Sequence, residues 1–412
     1  MTGDHTLVIP TLNRPALLKQ LVRYYYKRAW PVNLLVLDSS MPEIARENSE
    51  ALAPFGNAVR HVVFETTEPW ASKLLRGLEM VESRYVSFCA DDDVVFPVGV
   101  QNAIAYLDSH AEYVGAHGIY FNFRPDGRLV HVKNEYSGPS NEATHPGARI
   151  FRLCQKYQSL FYAVYRTQDL RDIFASLQTL NTFLFQELFQ SVAAVIKGKI
   201  KRLPSIYAAR QYGPPAESNR KKWNPFPWFA DNPVDLLEHY QGYRDALWAF
   251  YRAHSSAPHI DQEAFFKTLD LAHAVYFCSG CSPRDFHAVL QPLWPGDPYL
   301  MIGPLDALRV ADKLMAFKRS AYPEGDTGAD MIEQLQTPAG ISKWSKIAAL
   351  STLRYLWLVA RSVPNVVRLD LKARIACRTA WKCRLPLTAR WLVAVPEFGS
   401  TYHELCHYLD AS

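Results

Sequence analysis

A chain of 412 residues with 49% hydrophobic content can fill a sizeable core, enough for two domains or for one domain with a large appendage, and its composition is ordinary for a globular protein. Seven cysteines, odd in number and widely spread, argue against a disulfide framework, and a net charge of +5 gives no ground for a nucleic-acid partner. The charge is unevenly placed: residues 339–412 hold 11 Lys and Arg against 4 Asp and Glu, a surplus of +7, while residues 1–338 carry −2.

Thr6-Leu7-Val8-Ile9-Pro10 is too short for the apolar region of a signal peptide and no Lys or Arg precedes it, so a cytoplasmic location is expected. Leu7-Val8-Ile9 reads as a first strand, and Pro10 to Pro15 as a turn into a helix with Asn13 as cap and Pro15 in its first turn. Asn33 to Leu37 is a second buried strand ending on Asp38, and Arg60 to Phe64 a third. A helix carrying Leu74, Leu75, Leu78 and Val81 leads to a fourth, Tyr85 to Ala90, which runs without a break into Asp91-Asp92-Asp93. Strand alternating with helix predicts an open, mostly parallel α/β sheet, in which ligands sit beyond the carboxyl ends of the strands. Thr11, Asn13 and Arg14, then Asp38, Glu65 and the Asp triplet, fall at four such ends.

Three carboxylates at the end of a buried strand are costly unless a cation binds there, and a hard divalent ion is the simplest such cation. The bland alternative is a solvated acidic turn. Neither G-x-G-x-x-G after the first strand nor a G-x-x-x-x-G-K-[ST] loop occurs, so a dinucleotide redox enzyme and a P-loop NTPase are not supported.

Taken together, Val8-Ile9-Pro10-Thr11-Leu12-Asn13-Arg14, the strand ending at Asp38, Lys73 with Gly77-Leu78, and Asp91-Asp92-Asp93 as a D-x-D motif resemble the family 2 glycosyltransferases, nucleotide-sugar-dependent enzymes of GT-A fold. The resemblance covers about the first half of the chain. It implies that Thr11, Asn13, Arg14, Asp38 and Lys73 bind the donor, that Asp91 and Asp92 face ribose and sugar, and that Asp93 ligates Mn²⁺ or Mg²⁺ bridging the diphosphate of a nucleotide sugar, UDP-linked by expectation. It also implies transfer to a glycan, lipid-linked or protein acceptor, as in bacterial surface glycan assembly. The absence of Gln-x-x-Arg-Trp, the motif of processive synthases, points to transfer of single sugars.

Residues 113–133 read as a strand and a hairpin turning at Pro125-Asp126-Gly127, and Ser159 to Arg166 as another strand. Thr182 to Val192 reads as a helix that is apolar almost all round, with Glu187 its only acid, closed by Lys197-Gly198-Lys199 and followed by a strand over Ile200 to Ala208. By the resemblance Glu187 is the general base of an inverting transfer; the alternative is that it offsets the dipole of the first helical turn. Glu217, Glu135 and Asp126 are the other candidate acids. Arg210-Gln211-Tyr212 stands where the family often has a third metal ligand, a His.

The expected organisation is a GT-A domain over residues 1–212, with a nucleotide-sugar half at 1–98 and an acceptor half at 99–212, a loop at 213–233, and a helical region at 234–412. Within the last, Ile341 to Val363 is apolar with basic flanks; Arg354 interrupts it as a membrane span, leaving either peripheral membrane contact or a buried helix. Cys278-x-x-Cys281 would need two further ligands to hold zinc. Two other functions compete. Asp91-x-Asp93-x-Val95 matches the D-x-D-x-[TV] of haloacid-dehalogenase-type phosphatases, and a non-catalytic module could keep the fold for binding alone.

Overall fold

The structure is a computed structural model that describes residues 4–28, 30, 32–126, 129–136, 138–155, 157–212, 228, 233–255, 260–279, 382–384 and 398–410. The expected loop at 213–233 apart from Trp228 and its last residue, the segment Ile341 to Val363, Glu217, and the thiols of Cys278 and Cys281 lie outside it.

Four strands, β1 (His5–Thr11), β2 (Asn33–Asp38), β3 (Val59–Val63) and β4 (Tyr85–Phe88), form the parallel half of the sheet in the order β3-β2-β1-β4. Their connections run through α1 (Pro15–Lys27), α2 (Pro42–Leu52) and α3 (Trp70–Glu79). Along β1 the side chains alternate between two cores: Leu7 and Ile9 face one, Val8 the other, and all three are fully buried. Burial on both faces is why β1, β2 and β4 read as apolar runs, whereas β3, at the end of the sheet, is only partly buried.

The second half is mixed. A two-residue strand β5 (Val94–Val95) follows the Asp triplet, then α4 (Pro97–Ser109), the hairpin β6 (Tyr113–Asp126) and β7 (Leu129–Tyr136), α5 (Pro146–Gln155), β8 (Val164–Arg166), α6 (Thr167–Ser176), α7 (Phe183–Lys197) and β9 (Lys199–Gln211). β8 joins β4 to β6 with antiparallel pairing on both sides, while β9 runs parallel to β6 and antiparallel to β5. The strand expected over Ser159 to Arg166 is thus only its last three residues; Ser159 to Ala163 form a turn, with Leu160 N–H on the Ser191 hydroxyl at 3.1 Å and Ala163 N–H on the Leu160 carbonyl at 3.1 Å. At Gly118 the backbone of β9 approaches so closely that any side chain would collide with the Ser205 carbonyl.

Helices α8 (Pro233–His254) and α9 (Gln262–Ser279) follow residue 233, and Leu236, Tyr240, Leu247, Phe265 and Leu269 share one core with α7. Strand β10 (Lys382–Arg384) pairs with β7, and α10 (Phe398–Leu409) lies on α1, where Gln20 donates to the Tyr408 carbonyl at 2.9 Å and Arg28 pairs with Glu404 at 2.6 Å. Among the described residues no helix is long and apolar enough to cross a membrane.

Candidate active site

Parallel pairing brings the carboxyl ends of β1, β2 and β4 to one rim, with Thr11 directly beside Asp38. Asn13 is not the helix cap. Arg14 holds that position without a side-chain cap bond, Pro15 opens the helix as expected, and Asn13 adopts a left-handed conformation with φ of 56°, which Asn tolerates better than most residues. From there its N–H donates to the Ser40 hydroxyl at 2.7 Å and its side-chain oxygen accepts from Met41 N–H at 2.8 Å, stapling the loop after β1 to the loop after β2.

Asp38 is fully buried beneath this staple, accepting from Ser40 N–H at 2.8 Å, Asn48 at 2.8 Å and His61 at 3.0 Å. Burial pushes its carboxyl up, but the hydrogen bonds from His61, Ser40 and Asn48 outweigh it and hold the group at about 2. Lys73, also buried, donates to the Thr11 carbonyl at 3.2 Å and the Ser39 hydroxyl at 2.7 Å, and burial lowers its ammonium from the ordinary value. Asp38 and Lys73 therefore hold the rim in shape from below, while the exposed Glu65 stands apart.

A depressed carboxyl contributes stability that is present above its ordinary 3.8 and is lost as the pH falls through about 2. Asp38→Asn should therefore lose about 2 kcal/mol at neutral pH and flatten the fall in melting temperature between about pH 4 and pH 2. Parallel pH-melting curves for variant and parent would contradict this.

The Asp triplet is met by cations from the chain itself. Thr11 donates to Asp91 at 2.7 Å, and the Arg14 guanidinium bridges Asp91 at 3.1 Å and Asp92 at 2.7 Å. Burial raises the Asp91 carboxyl from its ordinary value, against the pull of Thr11 and Arg14. Asp93 lies where Val94 and Val95 pair with Ala209 and Ala208, a register that puts it opposite Arg210. One of its oxygens accepts from Gln211 N–H at 2.7 Å; the other accepts from the Tyr162 hydroxyl and from Arg210 Nε at 3.3 Å. Burial pushes Asp93 up to about 6, with the Arg210 charge opposing.

Asp93, the expected metal ligand, is buried, with one oxygen accepting one hydrogen bond, the other accepting two, and the Arg210 guanidinium beside it. Among the described residues no group of three or more His, Cys, Asp and Glu side chains is disposed to hold a metal.

Glu187 is the fifth residue of α7, past the first turn, which contains no acid, so the helix-dipole alternative does not apply to it. It is part-buried; burial raises its carboxyl, while the Ser159 side chain and the charge of Arg210 pull it down. Ser159, at one end of the turn before β8, lowers the Glu187 carboxyl, and Tyr162, at the other, donates to Asp93. Phe161, between them, stacks on Phe88 of β4 with ring centres 4.7 Å apart, which fixes the turn against the central sheet. Ser159, Tyr162 and Arg210 had no recognisable signal in sequence beyond Arg210 occupying the place of an expected His. The side chains of Asp126 and Glu135 lie outside the described residues, as does Glu217.

Residues 6–174 match a family model described as Glycosyl transferase family 2. A comparison with curated proteins finds no match. Among solved structures, S. aureus TarS 1–349 in complex with UDP-GlcNAc is similar at 16% identity, covering 71% of this chain and 78% of that one with a TM-score of 0.46. The same protein in complex with UDP is similar at 15% identity over 79% and 94%, with a TM-score of 0.39.

Proposed function

We propose, on the premise that residues 6–174 belong to glycosyl transferase family 2, that this glycosyltransferase moves a single sugar with inversion from a UDP-linked donor to an acceptor hydroxyl. The observation that carries the reading is that Arg210, paired with Asp93 at the rim of the parallel sheet, also acts on the part-buried carboxyl of Glu187. An acid raised by burial is suited to accepting a proton near neutral pH.

The acceptor oxygen bonds to the anomeric carbon as the bond from that carbon to the diphosphate oxygen breaks. The hydroxyl proton passes to Glu187, and the nucleoside diphosphate departs with the bonding pair. Arg14 and Arg210, already at the Asp triplet, are the cations beside the charge that develops on the leaving group. The stapled loops after β1 and β2 receive the nucleoside, with Asp38 and Lys73 fixing their shape and Asp91 and Asp92 toward ribose and sugar. The acceptor, a glycan, a lipid-linked carrier or a protein, approaches from the side of α7. The family match favours this reading over the phosphatase, whose nucleophile would be an Asp91 already held by Thr11 and Arg14.

Incubating the full chain with a panel of nucleotide sugars tests the reading. One donor class should bind and be slowly hydrolysed to free sugar and nucleoside diphosphate; a panel in which none binds or turns over would overturn it.

A further inference from the structure

We infer that Trp70 is the surface against which the donor's sugar lies, its indole taking the C–H face of a hexopyranose and its N–H a sugar hydroxyl; the inference rests on the donor site proposed above.

Three neighbours fix where the indole stands. Trp70 opens α3, and on the same face of that helix, three residues on, Lys73 reaches the Thr11 carbonyl and the Ser39 hydroxyl at the rim. The Trp70 ring centre is 5.0 Å from that of Phe183, the first residue of α7, which shares a helical face with Glu187 four residues later. It is 5.8 Å from Phe161, which sits in the chain between Ser159, whose side chain lowers the Glu187 carboxyl, and Tyr162, which donates to Asp93. Trp70 therefore borders the interval between the Asp triplet and the proposed base. In an in-line transfer the sugar occupies that interval, with the diphosphate on one side of its anomeric carbon and the acceptor hydroxyl on the other.

The indole is supported from the sheet and left part-exposed. Phe88 of β4 stacks on Phe161 with ring centres 4.7 Å and planes 11° apart, Phe161 lies against Trp70, and Phe174 is 6.0 Å from it. Phe88 and Phe174 are fully buried, whereas Phe161 and Trp70 are not. A buried indole N–H normally finds a partner in the protein; that of Trp70 makes no hydrogen bond among the described residues, which leaves it to solvent or to a ligand.

A hexopyranose has the complementary character: axial C–H bonds make a face of the ring apolar, and hydroxyls surround its edge. A flat aromatic face with one donor on its edge suits such a ligand, and a ring already held by Phe161, Phe174 and Phe183 loses little freedom on binding it.

The test is calorimetric titration of the full chain, with Mn²⁺ present, using the nucleotide sugar that the donor panel selects and its nucleoside diphosphate alone. The ratio of the two dissociation constants is the readout, because damage to the fold or to the nucleotide's own contacts cancels in it. Trp70→Ala should raise the ratio of nucleotide sugar to nucleoside diphosphate by roughly 10-fold, the worth of one stacked ring. Trp70→Phe keeps an aromatic face and should stay within about threefold of the parent. Trp70→Leu keeps apolar packing against Phe174 and Phe183 but has no flat face, so it should shift the ratio as Trp70→Ala does, and it carries the test if Trp70→Ala does not fold. A ratio unchanged in Trp70→Leu, or in Trp70→Ala where that folds, overturns the inference and leaves the donor site standing. If neither a nucleotide sugar nor a nucleoside diphosphate binds the parent, the donor site itself fails, and the inference with it.

Discussion

Glu187→Gln should lower turnover by on the order of 10²–10⁴-fold while donor affinity and melting temperature barely move. The amide keeps the size and much of the hydrogen bonding of the carboxyl, including a partner for Ser159, but it cannot take the acceptor proton. A structural role would give the opposite pattern. Glu187 stands fifth in α7, beyond the first turn, so little helix-dipole stabilisation is at stake, and its carboxyl is already raised by burial. The parent should also lose kcat/KM on acidification as Glu187 takes up a proton, with the limb displaced upward from the ordinary 4.5 in the direction burial dictates, and the variant should lack that limb. Turnover, UDP affinity and melting temperature measured on one preparation separate the two roles. Near-normal transfer by Glu187→Gln would move the search to Glu217, Glu135 or Asp126.

The rim of the parallel half was legible in sequence because β1, β2 and β4 are buried on both faces and are therefore written as apolar runs with a polar residue at or just past the end. Asp38 closes β2 where expected, and the triplet follows β4. What that reading missed is pairing at a distance. Arg210 reaches Asp93 across 117 residues and Tyr162 reaches it across 69, and both contacts depend on the register of β5 against β9 and on a turn stacked against Phe88. No local pattern encodes either. The triplet's need for a cation was readable; that Arg14 and Arg210 of the chain itself pair with it was not. Ser159 to Ala163 have strand composition, yet their backbone is claimed by Ser191 of α7, a tertiary choice that overrides local preference. The helices after residue 233 were visible from their spacing, but an apolar face does not say what it packs on, and a shared core with α7 was not foreseen. Glu187 and Arg210 also fall beyond the segment that matches the family model, so their roles rest on the geometry.

Arg149→Met should destabilise the fold by about 3–5 kcal/mol, lowering the melting temperature by roughly 5 °C, while turnover per folded molecule stays near that of the parent. Helix α7 ends without the left-handed cap that Gly198 suggests: its φ of −168° is extended and the chain runs straight into β9. The last carbonyls of a helix have no partner within it. Here Arg149 of α5, 5% exposed, supplies one, with Nε on the Val195 carbonyl at 2.6 Å and a terminal nitrogen on that of Ile196 at 3.0 Å. Its other terminal nitrogen holds the carbonyls of Ala143 and Thr144, each at 2.8 Å. Burial lowers the guanidinium to about 10, which leaves it charged at neutral pH. Methionine matches the stem of the side chain and none of its donors, so four carbonyls lose their shared partner, each unsatisfied group costing about 1–3 kcal/mol and the sum falling short of additive. Arg149→Lys keeps the charge but not the fork, and should fall between parent and Arg149→Met. A melting temperature for Arg149→Met within about 2 °C of the parent would show that the end of α7 is secured by its apolar packing alone, since the helix that carries Glu187 would then stand without the cap.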